Sequence, residues 1–396
     1  MSMQGYLRKD GRKGIRNVVA VAYLVECAHH VAREITLPQR EHAHVIGFPG
    51  CFPNEYAQKM MERLCTHPNV GGVLLVSLGC ESFNRYQLEQ VVRDSGRDVE
   101  TLVIQKEGGT RSAITKGQAF VAKTVQTLQN IPTVSVHLSD LVIGTVCGGS
   151  DGTSGISGNP AAGRAFDKLV ASGATCIFEE TGELIGCEDI MSARAATPEL
   201  AIELRASVTK AAQYYATLGY GSFAAGNADG GLSSIEEKSM GAYAKSGASK
   251  ISGLIKPGDI PPKGGLYLMD VVPDGPVRFG FPNISDNAEI VEMMASGAHM
   301  TLFVTGRGSV VGSALAPVIK IAANPEMYAR LQEDMDINAG RIIDGTANLS
   351  QIGDEIFDMV QTVASGACTK SEDLGHREFI LTYKSFEPIG PACLPV

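Results

Sequence analysis

Apolar and polar positions fall into alternating blocks along the first 130 residues. Residues 18–24 form an unbroken apolar run, the pattern of a strand buried on both faces. Shorter runs at 45–48, 72–78 and 101–104 repeat it. Between and after them, helical periodicity predicts helices over about 28–35, 54–64, 85–95 and 110–128. Four strand–helix units in a row predict an open parallel sheet with right-handed crossovers. After a break at 130–133 the pattern resumes with a strand at 141–145, a glycine-rich turn at 147–158, a helix at 160–172 and a strand at 175–178. Helices are expected over 198–218 and 233–245. The Pro/Gly-rich stretch 257–263 reads as a linker or surface loop. The last third predicts strands at 266–269 and 300–305 and helices near 288–296 and 351–365. The expected class is α/β: parallel-sheet, Rossmann-like domains in three α/β/α layers, with a further α/β C-terminal region. The expected divisions are 1–132, 133–260 and 261–396.

Composition narrows the function. Of 396 residues, 44% are hydrophobic and 19% charged, enough for sizeable cores. The 45 glycines suit tight turns and close backbone approach to small polar ligands. A net charge of −9 argues against a nucleic-acid partner, which needs a basic face. No apolar run reaches the roughly 18 residues needed to span a bilayer. The charged start MSMQGYLRKDGRKGIRN is not followed by an apolar signal-peptide core. A cytoplasmic location follows as an expectation, and there the nine cysteines would not form a disulfide framework.

Four of those cysteines stand at telling places. Cys27, Cys51 and Cys80 follow the first three predicted strands, and Cys147 follows the first strand of the second region. Ligands of open α/β sheets bind at that carboxyl edge. Such a set suits an iron ion or an iron–sulfur cluster. Equally, the four are small residues filling crowded strand ends. No CxxC pair occurs. The turns GGSDGTSG, GNADGG and TGRGS offer backbone nests for anionic oxygens, with Ser150, Asp151 and Thr305 as substrate contacts beside them. Arg307, set between glycines, and Arg111, after GGT, are candidate anion clamps. Lys238 and His29 are candidates for the general base, and Arg307 is counted with them as catalytic. Glu179, Glu180 and Glu183 follow a predicted strand and could supply a base or a metal ligand. Each has an ordinary alternative, as a surface ion pair or a solvated loop. Neither GxGxxG after the first strand nor GxxxxGK[ST] is present, which removes the main support for a nucleotide cofactor.

Taken together, GYLRKDGRKGIRN, THPNVGGVLLVSLGCES, QKEGGTRSAI, CGGSDGTSGISGNPAAGRAFD, GGLSSIEEKSMGA, FVTGRGS and EDMDINAGRI resemble the altronate/galactarate dehydratase family. They occur in one order over residues 5–341. Finer stretches, such as LVECAHHVAREI and FEETGELIGCE, resemble the large chain of a two-subunit, sulfonate-cleaving branch of that family. The resemblance implies a lyase: a base takes the proton at C2 of a 2-hydroxy acid, and a group leaves from C3. It implies iron, as Fe2+ or a cluster, with Cys51, Cys80 and Cys147 as ligands and Cys27 as a fourth. It also implies a separate small (alpha) subunit and a hetero-oligomer. The alternatives are the large chain of a sugar-acid dehydratase, and a non-catalytic scaffold subunit.

Overall fold

The computed structural model describes residues 3–218, 223–275 and 285–382. The strands in chain order are β1 (Met3–Leu7), β2 (Lys13–Gly14), β3 (Val18–Tyr23), β4 (Ala43–Gly47), β5 (Val70–Ser77), β6 (Asp98–Val103), β7 (Val134–Val136), β8 (Val142–Cys147), β9 (Thr175–Phe178), β10 (Ile251–Ile255), β11 (Gly265–Met269), β12 (Met300–Thr305), β13 (Val318–Ala322) and β14 (Ile337–Asn338). The helices are α1 (His29–Thr36), α2 (Glu55–Cys65), α3 (Arg85–Asp94), α4 (Thr110–Gln129), α5 (Gly158–Ala171), α6 (Glu188–Ser192), α7 (Pro198–Leu218), α8 (Ala225–Asp229), α9 (Ile235–Tyr243), α10 (Asp286–Ala295), α11 (Pro325–Arg330), α12 (Leu349–Ala364) and α13 (Lys370–Asp373).

Two parallel sheets carry the fold, so the α/β, three-layer class is what the molecule has. The first is four-stranded, in the order β4-β3-β5-β6. Alternate residues of its central strands explain the continuous apolar runs: Val19, Val21 and Val76 face α1 and α4, while Ala20, Ala22 and Leu75 face α2 and α3. The second sheet is seven-stranded, in the order β10-β11-β9-β8-β12-β13-β14. Helices α5 and α12 cover one of its faces. Helix α10 covers the other and also packs on α2, which merges the two sheets into one apolar core.

Strands of the seven-stranded sheet come from both sides of residue 260, so the expected division there falls inside a single sheet. The Pro/Gly-rich stretch is a fixed connection from β10 to β11. Asp259 pairs with Lys59 at 2.7 Å, the Gly258 N–H donates to Ser296 Oγ at 3.0 Å, and Arg63 Nε donates to the Gly258 carbonyl at 3.1 Å. Three strands of the seven-stranded sheet were not legible in the hydropathy pattern, the two-residue β14 among them. β10 is half-buried and interrupted by Ser252 and Gly253. β13 carries Lys320 in its middle, buried with Nζ 3.4 Å from His376 Nδ1. The small antiparallel sheet β2-β1-β7 was also unexpected, because its strands are short and β1 alternates with exposed positions.

The motif GYLRKDGRKGIRN proves to be a brace. Arg8 Nε donates to the Pro68 carbonyl at 2.6 Å, and Arg16 forms a two-pronged pair with Glu372 at 2.7 and 2.9 Å. The turn Thr66–Asn69 is the hub between the sheets. Asn69 accepts from the Ile15 N–H at 2.9 Å and donates to the carbonyls of His299 and Leu315 at 3.2 and 3.0 Å. His67 donates through Nε2 to the Ala298 carbonyl at 3.0 Å and accepts at Nδ1 from the Asn69 N–H at 3.1 Å. His299 accepts from the Val142 N–H at 3.0 Å and donates to the Lys13 carbonyl at 2.8 Å. Each ring has one donor and one acceptor nitrogen in use, which requires the neutral form. Burial holds His67 well below the ordinary value and His299 at about 4. These histidines therefore cost nothing above pH 6.5. Below it the unfolded chain binds protons that the folded chain refuses, and stability falls as pH drops toward about 4. His299 alone accounts for about 3 kcal/mol over that window. Urea unfolding followed from pH 7 to pH 4 checks this: His299→Gln should flatten the slope, and an unchanged slope would refute the assignment.

Candidate active site

Topology points to one place before any side chain is considered. From β8 the chain winds through β9 to one edge of the seven-stranded sheet, and β12, β13 and β14 build the other edge. The direction of winding switches between β8 and β12, and a crevice opens outside the carboxyl ends of strands at such a point. Cys147 ends β8, Glu179 and Glu180 follow β9, and Thr305 ends β12.

The glycine-rich turns meet here. The Gly148 N–H donates to the Val304 carbonyl at 3.0 Å, the Arg307 N–H to the Gly149 carbonyl at 2.9 Å, and the Gly152 N–H to the Gly230 carbonyl at 2.9 Å. Arg307 Nη1 donates to the Gly226 carbonyl at 2.6 Å. Arg307 thus stitches all three turns together, with its side chain exposed. Asp151 is buried and accepts from the Thr153 N–H at 2.8 Å and from the Ser154 N–H at 3.1 Å, which shapes the turn. Thr305 is buried and its Oγ1 accepts from the Gly308 N–H at 3.0 Å. Ser150 is buried, with Oγ 3.8 Å from Cys147 Sγ.

Around Cys147 lies a cluster of charges. Its Sγ is 3.4 Å from Glu180 Oε2, 3.5 Å from Glu183 Oε2 and 3.3 Å from Lys245 Nζ. Lys245 is ion-paired with Glu180, and Lys238 with Glu183. Glu180 is the only described non-glycine residue with positive φ, at 74°. That left-handed backbone is disfavoured for a side-chain-bearing residue. It aims both carboxylate oxygens at the Cys147 N–H, at 3.3 Å. Burial pushes the Cys147 thiol up to about 11, so it is a neutral thiol at pH 7. Burial pulls the Lys238 ammonium down, but Glu183 more than offsets this and leaves it above its ordinary value. Asp286, in the first turn of α10, is pushed up to about 6 by burial and then by Glu183.

The four sequence-predicted cysteines fall on two sheets. Cys27, Cys51 and Cys80 are exposed and belong to the four-stranded sheet, whereas Cys147 is buried at the end of the other. Among the described residues, no group of three metal-ligating side chains includes Cys27, Cys51 or Cys80. Two groups do converge within 4.8 Å: Cys147, Glu180 and Glu183, and Glu180, Asp286 and Glu289. The second is all oxygen, a donor set that suits a divalent ion, Fe2+ included.

Two further predicted residues sit elsewhere. His29 is 3.0 Å from Glu26 and stacks on Tyr23, in the four-stranded unit. Arg111 is exposed in the first turn of α4. Lys245, Asp286 and Glu289 were missed. Lys245 lies seven residues beyond Lys238, two helical turns on, so the spacing already put both ammoniums on one face. Asp286 and Glu289 looked like ordinary first-turn acids that complement the helix dipole.

Beside Lys238 opens a cavity of about 320 Å³, lined by the 150–156 turn, Asn159 and one face of α9. Gly155 and Gly241 make that possible: a Cβ on Gly155 would lie 2.7 Å from Gly241 Cα, so the turn and α9 approach at backbone distance only without side chains.

Comparison with known proteins agrees with this architecture. Residues 5–129 match the model for the second domain of D-galactarate dehydratase/altronate hydrolase, and residues 138–386 match the model for the C-terminal part of D-galactarate/altronate dehydratase. The (2R)-sulfolactate sulfo-lyase subunit beta of Chromohalobacter salexigens is 30% identical over 96% of both chains. Altronate dehydratase of Bacillus subtilis is 28% identical over 96% of this chain and 77% of that protein. Galactarate dehydratase (L-threo-forming) of Escherichia coli is 30% identical over 92% and 73%. These relatives are lyases. The chain is an enzyme of the lyase kind and belongs to the galactarate/altronate dehydratase family.

Proposed function

We propose that this is the large, catalytic chain of a lyase that cleaves (2R)-3-sulfolactate to pyruvate and sulfite. The observation that carries a β-elimination is the largely buried pair Glu183–Lys238 beside an open cavity at the sheet's switch point. The named substrate is supported by 30% identity to the (2R)-sulfolactate sulfo-lyase subunit over 96% of this chain. A dehydratase acting on an altronate-type sugar acid is the second reading, supported by relatives at 28–30% identity.

The chemistry runs through this chain's own groups. Lys238 enters as an ammonium and receives the substrate carboxylate, which releases Glu183. The freed Glu183 carboxylate takes the C2 proton. The C2–H electron pair forms the C2=C3 bond, the C3–S bond breaks, and sulfite leaves with its electron pair. The enol product ketonises: Glu183 returns its proton to C3, and the enol O–H gives its proton to the departing sulfite, which leaves as hydrogen sulfite. Arg307 holds the glycine turns together beside the cavity. A divalent ion on Glu180, Asp286 and Glu289 would supply Lewis-acid stabilisation of the carboxylate when bound. The name of the sulfo-lyase relative, a beta subunit, supports a second, small alpha chain as partner, and so a hetero-oligomer.

The test uses anaerobically purified protein co-expressed with its neighbouring small chain. Racemic sulfolactate should release sulfite and pyruvate in equal amounts. Formation of a 2-keto-3-deoxy acid from altronate, with no sulfite from sulfolactate, sinks the first reading in favour of the second. In the same preparations Glu289→Gln should lose bound iron, while Cys27→Ser, Cys51→Ser and Cys80→Ser keep it. Iron loss in the cysteine variants would return the metal to the other sheet.

A further inference from the structure

The cavity beside Lys238 holds a group that the elimination chemistry does not use. Asn159 stands at the second position of α5 and is only 1% exposed. Its Oδ1 is buried and has no hydrogen-bond partner among the described residues. Burying an amide oxygen without a partner is costly, and an apolar side chain of the same shape would avoid the cost. Such a group is expected where a ligand supplies the missing bond.

The surroundings say what kind of ligand. The start of α5, a helix of 14 residues, favours negatively charged oxygens. Lys238 lines the same cavity with a cation. Ile156 and Met240, 64% and 57% exposed, put apolar surface at the rim where the C–H faces of a carbon chain would lie. A carboxylate or sulfonate alone cannot donate to Asn159 Oδ1, because it carries no proton. A hydroxyl can.

We propose that this cavity is the subsite that selects hydroxylated acids, with Asn159 Oδ1 accepting a hydrogen bond from the substrate hydroxyl next to the anion held by Lys238. The proposal rests on the elimination site assigned above, and Asn159 acts in binding, not in proton transfer.

The experiment is calorimetric binding on the full chain with its small partner, in the Glu183→Gln background so that nothing turns over. Two probe pairs differ by one hydroxyl: 3-sulfolactate against 3-sulfopropanoate, and lactate against propionate. The hydroxylated member of at least one pair should bind about 10-fold or more tightly. Asn159→Leu should erase that preference while leaving the affinity for the deoxy member within about twofold. With no internal bond lost, its unliganded Tm should match or exceed that of the parent. A preference that survives Asn159→Leu overturns the proposal, as does the absence of any preference in the parent. Should Asn159→Leu fail to fold, Asn159→Asp keeps the shape and the acceptor, and must keep the preference. A preference within the lactate pair alone, without sulfolactate binding, would retire the sulfonate substrate and leave the subsite standing.

Discussion

Glu183→Gln should lower kcat by about 10²–10⁴-fold with a small change in KM, the loss typical of removing a positioned proton carrier. Glutamine keeps the size of the side chain and can still accept from Lys238 but cannot take the C2 proton. Lys238→Met should behave differently. It removes the cation that meets the substrate carboxylate, so KM should rise, with kcat/KM down about 10–100-fold for a charge-assisted hydrogen bond. Steady-state kinetics of sulfite release separate the two patterns. A Glu183→Gln enzyme whose kcat lies within a few-fold of the parent's would refute the assignment of the base. Equal loss in kcat and kcat/KM for Lys238→Met would move the lysine from binding into the chemical step.

The second large effect concerns stability. Lys245 is fully buried and Glu180 nearly so, and the two are paired against the Cys147 thiol. Removing one partner of a buried pair strands the other charge, at a cost of about 3–5 kcal/mol. Lys245→Met should therefore unfold at much lower urea than the parent. Adding Glu180→Gln should recover most of the loss, because no bare carboxylate remains. Urea midpoints at pH 7 for the two singles and the double decide it. If Lys245→Met alone costs less than about 1 kcal/mol, the pair is not desolvated as described.

Much of this was legible in the chain. The runs at Val18–Tyr23 and Val70–Ser77 announced buried parallel strands because both faces of each are covered by helices. The glycine turns after β8 and β12 were visible, and the structure brings them together across the switch point. Other features were hidden for physical reasons. Lys320 broke the apolar signature of β13 although its side chain is buried. Cys27, Cys51 and Cys80 sit at strand ends like Cys147, but position along a strand does not say which sheet the strand joins. Lys245 and Asp286 reach the site only through the packing of α9 and α10, far apart in sequence.

The turn at Thr66–Asn69 has a meaning for descent. Its buried imidazole and amide donors are satisfied by the carbonyls of Ala298, His299 and Leu315, all in the later half of the chain. Either half, taken alone, would carry bare donors into water or into an ill-fitting neighbour. Recombination between relatives that swapped only residues 1–132 would be screened at this seam, since the incoming half must meet the same partners at the same depth. Lineages are then expected to inherit the two halves as a matched set, and to vary at the mouth of the crevice, where no such bargain binds them.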